Sequence, residues 1–344
     1  MNRPAYSLIV FALLFGTAVK AQQRIADGAG RQVAVPAKVE RVYAAGPPAS
    51  MLVFAIAPDK LLGWTRAFRP DEAAFVAPKY AALPELGRLT GRGDTANVEV
   101  LLRAKTDLVV DAGSTAETYV SLAERVQRQT GIPYLLLDGR LDAVPNALRT
   151  LGRALGDEQR GALLADYFEA SLRDVQERVA KVAPEDRPRV YYGRGPAGLQ
   201  TGLAGSINVE LLDYLGAKNV AAGAKGGLAG VSLEQVLAWN PEVILTTDPN
   251  FYAALWKDAR WQGVAAVRAG RVHLAPHLPF GWFDFPPGAN RLLGLYWAGL
   301  LLYPRAFPAD LRPRIVEFHR LFYHQAPTPA QLDALLGEPG VLPK

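Results

Sequence analysis

The chain contains no cysteine. That excludes a disulfide scaffold, a thiolate metal site and a cysteine nucleophile. It also removes the residue on which an N-terminal lipid anchor is built, so an unanchored protein is expected. Beyond the first two dozen residues there is no run of about 18 uninterrupted apolar residues, and no further membrane span is expected. Histidine is scarce: His273, His277, His319 and His324 are the only four. They are not clustered with carboxylates in the way a bare metal ion needs. Catalytic signatures are missing too. There is no G-x-S-x-G elbow, no P-loop lysine and no H-E-x-x-H. The glycine-rich run 223–227 does not follow a strand in a G-x-G-x-x-G pattern. No catalytic residue is assigned, and an enzyme is the less favoured reading. Charge clusters are also lacking. Net charge is only +5, with Lys and Arg scattered, which argues against a nucleic-acid partner and for a mildly basic cleft that attracts an anion.

What is present is ample core. The chain has 344 residues, half of them hydrophobic, enough for two packed units. Arg3, the apolar run from Leu8 to Val19 and the small residues around Ala21 have the pattern of a cleaved secretory signal over 1–21. Short apolar strands then alternate with helices, which indicates α/β units with mainly parallel sheets. Strands are expected at 41–45, 60–65, 107–111 and 134–138, with helices at 49–57 and 117–130. Residues 157–182 are charge-rich, without Pro, and without Gly after Gly161. They predict one helix of about 25 residues, or about 37 Å, capped by Asp157. Alternation restarts with strands at 189–192, 242–246 and 271–274 and helices at 207–215 and 289–302. The expected organisation is an N-terminal lobe at 22–156, a connecting helix at 157–183 and a C-terminal lobe at 184–344.

One segment occurs twice. Asn97 to Val110 and Ser232 to Leu245 each read as a polar cap, a short helix, a turn and a buried strand. Glu99 precedes Asp107 by the same interval as Glu234 precedes Glu242. Each glutamate falls in a first helical turn, where the helix dipole favours it, and one lies on each side of the long helix. Two matched carboxylates, one per lobe, suit two-point docking.

With Arg41 to Tyr43, the paired glutamate segments, the long helix, and the stretch from Gln200 through Gly205, Asn208 and Gly216 to Asn219, nearly the whole mature chain resembles the periplasmic substrate-binding proteins of ABC importers for iron–siderophore complexes, haem and cobalamin. The resemblance implies two lobes joined by a rigid helix, a ligand held between them, and a monomer in the periplasm. It also implies that Glu99 and Glu234 dock onto arginines of a dimeric inner-membrane permease.

Ligands of such proteins sit beyond the carboxyl ends of strands, where loops converge. That rule selects Pro47, Trp64, Arg66, Phe68 and Ser114 from the first lobe, and Arg194, His277, Phe280, Trp282 and Phe283 from the second. Arg66 and Arg194 suit an anionic chelate, because guanidinium stays charged and donates in a fixed fork. The loop from His277 to Pro287 is rich in aromatic residues, glycine and proline. It can offer ring faces, with Phe280 and Trp282 expected as its exposed members, or tuck those rings into a satellite core. His277 could complete an iron coordination sphere; no other metal ligand is assigned, and no intrinsic cofactor. A ferric siderophore leads as cargo. Haem or cobalamin, and molybdate, tungstate or a nickel or cobalt chelate, stay open.

Overall fold

The computed structural model describes residues 22–91 and 98–342; the segment 1–21, expected from sequence to be a signal, and Asn97 lie outside them. The first lobe contains β1 (Gln22–Ala26), β2 (Gln32–Pro36), β3 (Val42–Ala44), α1 (Pro47–Ile56), α2 (Pro70–Ala73), α3 (Pro78–Ala81), α4 (Val98–Arg103), β4 (Leu108–Gly113), α5 (Glu117–Thr130), β5 (Tyr134–Asp138) and α6 (Val144–Leu155). The long helix α7 spans Glu158–Val179. The second lobe contains β6 (Arg189–Gly193), β7 (Gln200–Gly202), α8 (Glu210–Tyr214), β8 (Lys218–Asn219), β9 (Leu228–Gly230), α9 (Leu233–Trp239), β10 (Val243–Thr246), α10 (Pro249–Leu255), α11 (Ala265–Arg268), β11 (Val272–Leu274), α12 (Arg291–Leu302), α13 (Arg312–Phe322) and α14 (Pro329–Gly337).

Each lobe is built on a parallel sheet, β3-β4-β5 in the first and β11-β10-β6-β8 in the second. The central strands β4 and β10 are mostly apolar and buried on both faces, as parallel strands sandwiched by helices must be. Two antiparallel pairs, β1–β2 and β7–β9, flank the sheets. No strand forms at 60–65. Leu61 and Trp64 make only isolated bridges, to Val42 and Glu85. Between the two bridges Gly63 packs so closely on the Pro84 carbonyl that a side chain would not fit. There the chain leaves one neighbour for another. The helix expected at 207–215 is shortened to α8.

The Asp157 side chain caps α7 by accepting from the Arg160 amide at 3.0 Å. A Cβ on Gly161 would lie 2.9 Å from Gly152 Cα, so the glycines let α6 and α7 pack backbone to backbone. On the buried face Leu164, Phe168, Leu172 and Val175 recur at helical spacing. They enter one core that runs without a break from Ile25 to Val341. Helix α7 touches both lobes: Arg160 donates to the Ala55 carbonyl of the first at 3.1 Å, and Asp174 accepts from Tyr296 of the second at 2.7 Å. The C-terminal residues also brace the first lobe. His324 pairs with the Phe54 carbonyl at 2.8 Å, and Gln331 donates to the Ala74 carbonyl at 2.8 Å. His319 is wholly buried beside Phe75 and Tyr323.

A third cross-connection is ionic. Arg291, fully buried at the start of α12, pairs with Glu210 of α8 at 2.6 Å and donates to the Gly139 carbonyl just after β5. Glu210 in turn accepts from the Leu141 amide at 3.1 Å. One buried pair thus fastens the first lobe's exit loop to two helices of the second.

Candidate functional site

A cleft of about 910 Å3 opens between the lobes. The first lobe contributes Pro47 and Pro48 from the start of α1, Trp64, Thr65, Arg66 and Phe68 from the bridge segment, and Gly113 and Ser114 from the end of β4. The second contributes Arg194 after β6, Thr247 after β10, and His277, Phe280 and Asp284 to Pro287 after β11. Strand ends from both sheets converge here, as parallel α/β topology dictates.

Of the residues selected from sequence, Pro47, Trp64, Arg66, Phe68, Ser114, Arg194, His277 and Phe280 border this cleft. Trp282 and Phe283 do not. Trp282 is 1 % exposed and Phe283 is fully buried, with Phe283 against Tyr192 at 4.6 Å between ring centroids. The expectation of an exposed Trp282 is therefore corrected. The Trp282 carbonyl is seated on Gly294 of α12, and Gly281 folds onto the Asp284 carbonyl; this tight path drives both rings inward and turns Phe285 outward. Phe285 is 54 % exposed. Phe280 is also buried at 8 %, but its edge reaches the cleft. It completes an aromatic wall with Phe68 and Trp64 at centroid distances of 5.7 and 6.0 Å.

Polar groups on the two sides are anchored differently. On the first lobe Arg66 meets Glu72 in a fork, at 2.7 and 2.6 Å. Burial pushes the Glu72 carboxyl up, but Arg66 and Arg69 outweigh it and hold the group below the usual carboxylate range. The Arg66 side chain stays half exposed. On the second lobe Arg194 is buried, with a side chain 7 % exposed. Its Nε donates to Asp284 at 2.9 Å and Nη1 donates to Gln200. Asp284 is saturated: it also accepts from Tyr192 Oη at 3.0 Å, Asn208 Nδ2 at 2.9 Å and the Phe285 amide at 2.8 Å. Burial, followed by the charge of Asp284, holds the Tyr192 phenol protonated far above its usual range. His277 stands at the rim with Nδ1 3.7 Å from Glu338. Among the described residues no group of three His, Asp or Glu side chains is arranged to hold a metal ion.

Sequence reasoning passed over Arg69, Arg88, Tyr119 and Asn208, all of which line the cleft. Asn208 lay within the family-like stretch, where its position in a loop before a helix was the available signal.

The repeated segment is duplicated in structure as well as in sequence. Helix α4 ends in a left-handed residue, Lys105, and α9 in another, Asn240. In both copies an arginine opening the lobe's sheet clamps the helix end: Arg41 donates to the Ala104 carbonyl at 2.8 Å, and Arg189 to those of Trp239 and Asn240 at 3.1 and 3.0 Å. The closing acid then holds that arginine's own amide, Asp107 for Arg41 at 3.0 Å and Glu242 for Arg189 at 2.7 Å. Glu99 and Glu234 occupy equivalent, exposed positions in these units.

Two parallel-sheet lobes bound by a long helix, with a ligand-sized cleft between them, define a two-lobed solute-binding protein. The chain belongs to the periplasmic binding protein family, whose sequence model matches residues 61–277. It is 28 % identical over 273 residues to the molybdate-binding protein MolA of Haemophilus influenzae, covering 72 % of this chain and 76 % of that protein. It is 26 % identical over 214 residues to the vitamin B12-binding protein of Vibrio parahaemolyticus, covering 61 % and 71 %. The solved ABC transporter solute-binding protein of Sulfurospirillum deleyianum superposes with a TM-score of 0.82 at 27 % identity, over 91 % of this chain and 99 % of the other. The protein is a periplasmic binding component of an ABC importer rather than an enzyme. No helix among the described residues is long and apolar enough to cross a membrane.

Proposed function

We propose that this protein captures an anionic metal chelate, a ferric siderophore by class, in the cleft between its lobes and presents it to the permease through Glu99 and Glu234. The observation that carries the reading is the cleft itself. Its volume of about 910 Å3 falls in the range of pockets that enclose drug-sized molecules, roughly 300–1,000 Å3. It far exceeds the needs of a single tetrahedral ion. One wall is aromatic, and arginines face in from both lobes: Arg66, Arg69, Arg88 and Arg194, against the carboxylates Asp71, Glu72 and Asp284. Delivery through Glu99 and Glu234 is supported by their equivalent placement on duplicated, clamped units. Paired charges at two points set orientation more than affinity.

A second reading, a molybdate carrier, is favoured by the relationship to the Haemophilus influenzae protein. Titration followed by tryptophan fluorescence separates the two, since Trp64 lies in the cleft wall. The expected result is saturation at one equivalent of a ferric chelate, without turnover, and a loss of affinity of about tenfold or more in Arg194→Met. Saturation by molybdate with no response to any ferric chelate would replace the first reading by the second.

A further inference from the structure

The loop after β11 makes one side chain do something the core does not explain. Phe285 is a bulky residue held at a φ of 57°, a left-handed conformation that is strained for a residue of this kind and that clusters at ligand clamps. It is also more than half exposed, while its neighbours Phe283 and Trp282 are buried. Its ring lies over the Arg194 guanidinium, 3.8 Å from centroid to Cζ. Burial of Phe285 does not account for the strain, because its outer face is open to the cleft.

Arg194 is fixed beneath it. Asp284 holds Nε and Gln200 holds Nη1, which fixes the guanidinium, and among the described residues Nη2 donates to no other protein group. A buried cation therefore offers a free N–H edge beside an exposed ring face. The two features lie side by side, a ring to stack on and an edge to receive an oxyanion.

We infer that Phe285 is a specificity-determining residue, and that with Arg194 it forms a subsite for an aromatic ring carrying an adjacent oxyanion, the chemistry of a catecholate or salicylate arm. The ring of the arm stacks on the outer face of Phe285 while its oxygen accepts from Arg194 Nη2. A tetrahedral oxyanion or an aliphatic chelate uses the edge and leaves the ring face idle. The inference rests on the proposed chelate-binding role of the cleft and narrows its cargo.

The experiment compares Phe285→Ala and Phe285→Leu with the wild type against three probes: a ferric catecholate, a ferric trihydroxamate without aromatic rings, and metal-free 2,3-dihydroxybenzoate. Stacked aromatic pairs contribute enough for Phe285→Ala to weaken the ferric catecholate and dihydroxybenzoate by about tenfold. Phe285→Leu, which keeps apolar bulk without a π face, restores only part of the loss. The trihydroxamate is unaffected. Equal losses for both ferric probes, or no loss for either, would overturn the subsite and leave the chelate reading standing. Failure of the wild type to bind either ferric probe, with dihydroxybenzoate still bound in a Phe285-dependent way, would overturn the chelate reading and leave the subsite. Binding of none of the three probes overturns both.

Discussion

Replacing Arg291 by methionine tests the ionic fastening between the lobes. Arg291 is fully buried and donates to the carbonyls of Gly288 at 3.1 Å and Ile207 at 3.3 Å, to Gly139, and to Glu210 at 2.6 Å. Burial pulls its pKa down, and Glu210 opposes that shift. Methionine fills much of the volume and supplies none of the donors. Glu210, with a side chain only 17 % exposed, then keeps a single partner, the Leu141 amide. Removing one member of a buried pair costs about 3–5 kcal/mol, most of it from the charge left behind. For a chain of 344 residues, ordinary unfolding entropies convert that into a fall in Tm of about 4–7 °C. Calorimetry and urea titration read it directly. The double variant Arg291→Met with Glu210→Leu removes the stranded charge and recovers most of the loss. If the single variant changes stability by less than about 1 kcal/mol, or the double variant is no better than the single, the pair is not what fastens the lobes.

Two other outcomes follow from particular side chains. Glu99→Ala combined with Glu234→Ala leaves the ligand Kd within about twofold of wild type, because both side chains are exposed on helices outside the cleft lining, yet abolishes uptake in a reconstituted transport assay; undiminished transport would remove the docking assignment. His319 is wholly enclosed, and burial lowers its pKa from 6.5 to about 3. A depressed histidine pKa means the unfolded chain binds the extra proton, so stability is complete above about pH 6.5 and is lost as pH falls toward 3. At pH 5 the loss from this group is about 2 kcal/mol, and urea midpoints of His319→Phe fall less between pH 7 and pH 5 than those of wild type.

The parts legible in sequence were those set by local rules. Helix α5 and strand β5 fall where periodicity places them, and Asp157 caps α7 as its type suggests. The duplicated segments were readable because helix, turn and strand each leave a short-range mark. Loop direction was not. Trp282 and Phe285 are both aromatic residues in one irregular loop, and only the seating of that loop on Gly294 of α12 decides which ring faces inward. The β1–β2 hairpin carried a period-two signal, but Val33 and Val35 are its only buried positions on β2. The fastening of Arg291 to Glu210 and Gly139 joins residues far apart in sequence, and no local pattern announces it. Arg66 and Arg194 look alike in sequence; only their surroundings make one a half-exposed surface pair and the other a buried, fixed donor.

Native mass spectrometry of the protein purified from its own periplasm, combined with elemental analysis, tests the central claim most directly. The account predicts one bound species per chain, an organic chelate with one iron atom, released on unfolding. A bare molybdate ion, or a metal-free organic ligand in the cleft, would contradict it.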